Sequence, residues 1–194
     1  MIKSYSDYVE YLKAERISLS RKLSFRSLLL DDVWKFQIVL RTYEYLTNCS
    51  WNIIVRGIVY LIYRMLVDRS GASIPKNTFG PGLAIAHAGP IIVNSQARIG
   101  ANCRIHTCVN IGTQAGTTGV APKFGQNCYI GPGAKIFGPI EIGDNVAIGA
   151  NAVVNKSFPK GNFTLGGVPA NVISNKSSYG LLVEGYKNTK VKSQ

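Results

Sequence analysis

The sequence is short of the side chains on which several kinds of functional site depend. It has two histidines, four cysteines and ten acidic residues in 194. A catalytic zinc site with three histidine ligands cannot be built from two histidines, so no metal is expected. No CxxC pair occurs, which favours small buried thiols in a reducing compartment over disulfides.

Long apolar runs are also missing. Residues 1–16 carry charges with no apolar segment behind them, so no secretory signal is predicted and a cytoplasmic location is expected. The most apolar segment, Ile53 to Val67, contains Arg56 and Arg64 and is too short to cross a bilayer. A core helix is the favoured interpretation of this segment. Peripheral contact with the inner face of the cell membrane is the alternative.

Acidic residues are scarcest in the second part of the chain. The net charge is +12, with 11 basic and 7 acidic residues in 1–70 against 11 basic and 3 acidic in 71–194. An anionic ligand or an anionic membrane surface would suit this excess. The lysines are scattered and have no interleaved aromatic residues, so nucleic acid is not an expected partner.

A six-residue repeat dominates the second part of the chain. Large apolar residues recur at Val93, Ile99, Ile105 and Ile111, and again at Phe124, Ile130, Ile136, Ile142, Ile148 and Val154. Small or aliphatic residues recur at a second phase, at Ala97, Cys103, Val109, Cys128, Ala134, Ile140, Val146 and Ala152. This period predicts a chain that turns a corner every six residues and closes a triangular coil in about 18.

The repeat divides the chain. Residues 1–70 are predicted to form a helical domain, with helices over Tyr5 to Arg16, from Asp31 and Asp32 to about Leu46, and from Trp51 to Arg69. Ser50 is the predicted N-cap of the third helix and Gly71 its C-terminal stop. Residues 71–175 form the repeat domain, and the slip in register predicts an extruded loop at 113–123. Residues 176–194 are expected to be a mobile tail.

The two histidines both lie in the repeat domain. With a coil of about 18 residues, the position stacked on His87 is Ile105, and His106 is its neighbour. The two rings are therefore predicted to lie close together on one side of the coil. Small residues around His87 leave its imidazole accessible, which favours a catalytic role. His106 is the second catalytic candidate.

Residues 82–113 and 121–173 resemble the left-handed β-helix (hexapeptide-repeat) acyltransferases, because the AIAHAG histidine, the extruded loop and the GGVPA ending recur in order. The closest likeness is to the serine acetyltransferase branch. The resemblance implies a mainly β protein, a left-handed parallel β-helix with an N-terminal α-helical domain. It also implies a homotrimer or a larger assembly, acetyl-CoA as donor, and direct transfer with His87 as general base.

The resemblance further implies six contacts with CoA. They are Gly112, Thr113, Pro132, Ala150, Lys156 and Lys176, with the two lysines near the CoA phosphates. The alternative is that Pro132 and Ala150 only turn corners and that both lysines are solvated. Cys108 is a conceivable acyl carrier, but a structural role is favoured.

Three positions depart from the serine enzymes. Those enzymes carry aspartates at the positions of Ala86 and Ala72 and a histidine at the position of Ala121. Without these groups a zwitterionic serine lacks a partner for its ammonium group. Members of this branch that lack the aspartates resemble the acetyltransferases of capsule and surface-polysaccharide assembly, and this chain resembles those most. That resemblance implies a glycan acceptor, a sugar hydroxyl of a capsular or surface polysaccharide or its precursor. Serine O-acetyltransferase of cysteine biosynthesis and a non-catalytic scaffold remain as alternatives.

Overall fold

A computed structural model describes residues 1–20, 31–50, 52–116 and 119–187. Three predicted features extend beyond these ranges. Trp51, the predicted first residue of the third helix, lies outside the described residues, as do 117–118 of the extruded loop and 188–194 of the tail.

Three helices precede the repeat in the described residues. They are α1 (Tyr5–Ser18), α2 (Asp32–Cys49) and α3 (Ile53–Ser70). The third helix ends at Gly71, which adopts a left-handed conformation with φ of 74°, as predicted. The predicted N-cap Ser50 is wrong, because Asn52 accepts the hydrogen bond from the Val55 amide. Ser50 is instead the C-cap of α2.

Short strands follow Gly71 at nearly regular intervals. They are β1 (Ala72–Ser73), β2 (Ala84–Ile85), β3 (Ile91–Val93), β4 (Arg98–Ile99), β5 (Arg104–Ile105), β6 (Val109–Gly112), β7 (Lys123–Phe124), β8 (Tyr129–Ile130), β9 (Lys135–Phe137), β10 (Glu141–Ile142), β11 (Ala147–Ile148), β12 (Val153–Val154), β13 (Thr164–Gly167) and β14 (Ala170–Ser174).

Each strand from β2 to β9 pairs with the strand three places further along the chain, whereas β1 pairs with β3 and β11 with β13. This pairing makes a three-sided parallel coil. Sheet A has the order β1-β3-β6-β9-β12, sheet B is β4-β7-β10, and sheet C is β2-β5-β8-β11-β13, with β14 added antiparallel. The chain passes from A to B to C in each coil. The parallel β-helix predicted from the hexads is confirmed.

The interior is filled by the two predicted phases of the repeat. All ten large apolar positions are at most 7% exposed, and all eight of the second phase are at most 5% exposed. Isoleucines stack along the sheets, for example Ile105, Ile130 and Ile148 in sheet C. The hexad therefore identified the core correctly.

The extruded loop lies where the register slips. In the later coils, paired residues are eighteen positions apart, as are Lys135 and Val153. Across the loop, Ile99 pairs with Phe124 instead. The extra residues project from the β-helix between Gly112 and Lys123, at the corner between sheets A and B.

A buried ionic cluster joins the helices to the first coil. The guanidinium of Arg41 is fully buried and contacts Glu15 at 2.6 Å and Glu44 at 2.7 Å. It also donates to the carbonyl oxygens of Phe79 and Gly80 in the first coil. Because all three guanidinium nitrogens donate hydrogen bonds, to α1, α2 and the first coil, the cluster fixes the position of the helices on the β-helix.

Burial raises the pKa of Glu15 to about 7, and the attraction of Arg41 offsets this only in part. A carboxyl whose pKa is raised from 4.5 in the unfolded chain stabilises the fold most at low pH, and loses this contribution as the pH rises through 7. Relative to Glu15→Gln, the wild-type free energy of unfolding should therefore fall between about pH 4.5 and 8. Urea unfolding of both proteins at several pH values measures this difference. A difference that does not change with pH would contradict it.

Helix α3 is not the core helix that was favoured. Only Tyr63, Leu66 and Ser70 are buried. An aliphatic arc on the opposite side is exposed; it comprises Ile54, Val55, Ile58, Leu61, Ile62 and Met65. The prediction failed because a period of 3.6 residues shows that a helix has an apolar face but not what covers it.

The C-terminal segment is not wholly a mobile tail. Asn102, Asn127, Asn145 and Asn162 have positive φ at successive corners between sheets B and C, and their side-chain amides form a continuous hydrogen-bonded ladder. Residues 178–186 lie against this ladder. Tyr186 exchanges two backbone hydrogen bonds with the Asn102 side chain, and the buried Ser178 donates to the carbonyl oxygen of Asn127.

Candidate active site

The candidate catalytic residues lie on the corner between sheets C and A. In sheet C, Ile85, Ile105, Ile130 and Ile148 are stacked in register. The residues that follow them therefore form two adjacent columns on this corner. The first column is Ala86, His106, Gly131 and Gly149, and the second runs through Thr107, Pro132 and Ala150.

His87 lies above the second column in a longer turn. In that turn the chain takes six positions from Ile85 to Ile91, against four in the turn below. Gly89 is therefore the residue next to Thr107.

The two imidazoles are neighbours, as the sequence predicted. Their ring centroids are 6.3 Å apart, at an interplanar angle of 57°. The register differs from the prediction, because Ile85 pairs with Ile105 twenty residues on. The first coil is longer than the later coils, so His106 stacks on Ala86 and lies diagonally beside His87.

The environments of the two histidines differ. His87 is exposed on the corner, where a substrate can reach it. His106 is partly buried, and its ring lies 5.0 Å from the ring of Tyr129. Burial lowers the pKa of His106, and the positive charge of Arg104 and the neighbouring His87 add to the effect. His106 is therefore neutral at pH 7.

Tyr129 was missed by the sequence reasoning. It directly precedes Ile130, which pairs with Ile105, the residue before His106. The register of the hexads would have placed its ring next to His106, because both residues flank stacked isoleucines.

Two predicted CoA contacts lie in the second column, below His87. Pro132 and Ala150 follow one another there, and both are exposed. The amide of Asn151 donates to the carbonyl oxygen of Pro132, which holds the two corners in line. A ligand that extends along the β-helix axis from His87 would pass both residues.

Gly112 and Thr113 are not on this corner. Gly112 ends β6 at the far edge of sheet A, and Thr113 begins the extruded loop. Sheet A therefore separates this pair from His87 within one protomer. A ligand that contacts both groups must therefore span the width of sheet A or lie between two copies of the chain.

The two lysines lie near the C-terminal hairpin. The ammonium of Lys156 donates to the side-chain oxygen of Asn171 at 2.7 Å and lies over the ring of Phe158. Lys176 is exposed just after β14. Both ammonium groups can reach solvent and can pair with an anion such as a phosphate.

Two of the three alanines at the departing positions lie at the corner that carries His87, and the third lies on the far side of sheet A. Ala86 directly precedes His87, and Ala72 begins β1 beside Ile91. Ala121 is buried at the end of the extruded loop. Cys108 is exposed with φ of 63°, and its carbonyl oxygen accepts a hydrogen bond from Lys135. Within the ranges 1–20, 31–50, 52–116 and 119–187, no three His, Cys, Asp or Glu side chains are grouped to hold a metal ion.

The chain has a hexapeptide-repeat transferase fold, a left-handed parallel β-helix. Residues 121–156 match the family described as bacterial transferase hexapeptide (six repeats). The crystal structure of serine acetyltransferase from Brucella abortus strain S19 in complex with coenzyme A superposes with a TM-score of 0.71 at 26% identity, covering 89% of this chain and 68% of that one. Soybean serine acetyltransferase complexed with serine gives 0.67 at 27%, covering 87% and 68%.

The curated relatives carry the same name. Serine acetyltransferase from Synechococcus elongatus (strain ATCC 33912 / PCC 7942 / FACHB-805) is 35% identical over 100 residues, which cover 51% of this chain and 41% of the relative. The chain spans about half the length, or less, of the first curated relatives it matches.

The predicted glycan acceptor is wrong. The relatives and structural neighbours that the chain matches are named serine acetyltransferase, and one of these neighbours is complexed with serine. The expectation rested on Ala86, Ala72 and Ala121, three side chains of a single protomer. Main-chain groups or a second protomer can bind a small zwitterion, so these absences do not define the acceptor.

Proposed function

We propose that this protein transfers the acetyl group of acetyl-CoA to the hydroxyl of L-serine, with His87 as general base. One observation carries the proposal. His87 stands exposed at the corner between sheets C and A of a fold shared with serine acetyltransferases whose structures include CoA and serine complexes. The accessible imidazole provides a general base that can take the proton of a hydroxyl.

In this mechanism His87 accepts the proton of the serine hydroxyl while the hydroxyl oxygen attacks the thioester carbonyl carbon. Backbone N–H groups of the corner stabilise the developing oxyanion. Breakdown of the tetrahedral intermediate breaks the carbon–sulfur bond. His87 then returns the proton to the thiolate sulfur, so that free CoA and O-acetylserine leave.

The donor is bound by residues of both edges of sheet A. Pro132 and Ala150 line one edge below His87, whereas Gly112 and Thr113 lie at the other. Lys156 and Lys176 provide positive charge for the phosphates. Since the two edges are separated within one protomer, we propose a homotrimer in which each site forms between neighbouring subunits.

The acceptor site of this chain is short of negative charge. Alanine stands at 72 and 86, beside the corner that carries His87. The ammonium of serine must therefore be met by carbonyl oxygens or by the neighbouring protomer.

Thiol release from acetyl-CoA tests the proposal. With L-serine present, CoA should appear at a rate proportional to enzyme, and D-serine and L-alanine serve as controls for stereochemistry and for the hydroxyl. Serine-dependent release that L-alanine does not reproduce would support the proposal. Release that is the same with and without L-serine would overturn it.

Peripheral membrane contact remains a prediction. None of the described helices combines the length and hydrophobicity needed to span a bilayer. The exposed aliphatic arc of α3 is the surface on which such contact would fall.

A further inference from the structure

The exposed aliphatic arc of α3 runs along most of that helix. Its members extend from Ile54 to Met65, and Ile54, Leu61 and Met65 are 77%, 64% and 62% exposed. Between its two ends the helix rises about 17 Å. Members three and four positions apart are neighbours on the helix surface, so the arc is one continuous apolar strip. Folded monomers rarely expose such a strip unless a partner or a membrane covers it.

A groove beside the arc provides a second apolar surface. It lies between α2 and α3 and has a volume of about 400 Å³. Its apolar lining comprises Ile38, Val39, Ile62, Met65 and Leu66. Because Ile62 and Met65 belong to both surfaces, the arc continues into the groove. A chain of methylene groups that enters the groove from the arc would leave water for apolar side chains along these walls.

Positive charge lies at one end of the groove. Lys35 and Arg69 complete its lining, Lys35 one turn before Ile38 on α2 and Arg69 one turn after Leu66 on α3. Both contact the carboxylate of Asp32, the ammonium at 2.6 Å and the guanidinium at 3.6 Å. Because two cations share one carboxylate, the group keeps an excess of positive charge. The side chain of Arg69 is 61% exposed and can pair with a phosphate.

The rest of α3 is also basic. Arg64 is exposed one turn beyond Leu61, on the side of the arc away from the groove, and Asp68 is the one acidic residue in the sequence of the helix. The whole chain carries a net charge of +12. A second copy of the chain would bring like charge to this surface, whereas an anionic lipid surface brings the opposite sign. Charge therefore favours an anionic lipid surface over a second copy as the cover of the arc.

We propose that the aliphatic arc and the groove dock the protein on an anionic phospholipid bilayer. Helix α3 lies in the plane of the membrane, and the arc enters the boundary between the headgroups and the acyl chains. The groove takes part of one acyl chain, and Lys35 and Arg69 pair with the phosphate of a lipid headgroup. None of the arc or groove residues is a candidate catalytic residue or donor contact, so the docking does not depend on the proposed acetyl transfer.

Co-sedimentation of the full chain with vesicles tests the apolar part of the docking. Wild type should bind vesicles of equal parts phosphatidylcholine and phosphatidylglycerol about tenfold more tightly than vesicles of phosphatidylcholine alone. The double variant Leu61→Gln, Met65→Gln keeps the charge and should bind the anionic vesicles about tenfold more weakly, because two exposed apolar side chains no longer enter the bilayer. The matched control is Ile173→Gln, which removes a similarly exposed aliphatic side chain from the C-terminal hairpin and should bind like wild type.

A second pair of variants tests the cationic end of the groove. Arg69→Gln should bind the anionic vesicles about fivefold more weakly, because it removes a charge that contacts the lipid phosphate. Lys160→Gln removes the same charge from an exposed position on the β-helix, between sheets B and C. Its binding should change less than about twofold, because salt screens a charge far from the membrane.

Three outcomes would overturn the docking. Equal binding of wild type and the double variant, or equal losses for Arg69→Gln and Lys160→Gln, would show that net charge alone adsorbs the protein. A double variant that sediments as a smaller species in the absence of vesicles, with vesicle binding unchanged, would show that a second copy covers the arc. Thiol release from acetyl-CoA in solution should be the same for wild type and the double variant, so failure of the docking and failure of the proposed function are distinguishable.

Discussion

Replacing His87 by alanine is expected to lower kcat for acetyl transfer to L-serine about 10²–10⁴-fold. The imidazole is the exposed base at the corner between sheets C and A, and no other histidine is available except His106, whose Nε2 is buried. Without His87 the serine hydroxyl must lose its proton to water at the moment of attack. The KM for acetyl-CoA should change little, because the predicted donor contacts lie at other residues.

The matched control is Lys160→Ala, which removes an exposed side chain between sheets B and C, away from the catalytic corner. It should keep full activity. Far-ultraviolet circular dichroism and the unfolding temperature of both variants should match wild type, because His87 and Lys160 are both exposed. An active His87→Ala protein would show that another group is the base.

Replacing Arg41 by alanine is expected to destabilise the fold by about 3–5 kcal/mol. The fully buried guanidinium is shared by Glu15 and Glu44 and donates to the carbonyl oxygens of Phe79 and Gly80. Its removal leaves two buried carboxylates without a cation and two carbonyl oxygens without a donor. The loss should be larger above pH 7, where Glu15 is ionised.

Arg64→Ala is the matched control, because it removes an exposed arginine from the adjacent helix. Its effect should stay within about 0.5 kcal/mol. Chemical denaturation at one protein concentration compares the three proteins. A loss for Arg41→Ala no larger than that for Arg64→Ala would show that the cluster does not hold the helices on the β-helix.

Much of the architecture could be predicted from the sequence, because each six-residue repeat forms the same local structure. A single inward isoleucine and a small residue at each corner define the core, the three sheets and the place of the loop. Gly71 as the end of α3 also follows from local backbone chemistry. These features depend on neighbours within one coil or one turn, which a repeat makes visible.

Features that depend on distant contacts could not be predicted from the sequence. The turn between Ile85 and Ile91 is two residues longer than the turn below it. Ile105 therefore stacks on Ile85, and the partner predicted for it, His87, was wrong by two positions. The docking of residues 178–186 depends on an asparagine ladder built from four coils. The exposed side of α3 depends on what the other elements cover.

The acceptor was mispredicted for a similar reason. The departures at Ala72, Ala86 and Ala121 are single side chains, whereas main-chain groups can also bind a small zwitterion. The candidate base could be found from His87 alone. The acceptor could not, because the sequence does not show which main-chain groups surround it.

The most direct test of acetyl transfer at His87 is mass spectrometry of the product formed from acetyl-CoA and L-serine in a single turnover. Wild-type protein should yield O-acetylserine and free CoA in equal amounts, and His87→Ala should yield almost none in the same time. Wild-type protein that consumes acetyl-CoA without forming acetylated serine would contradict it, as would an equal yield from the two proteins.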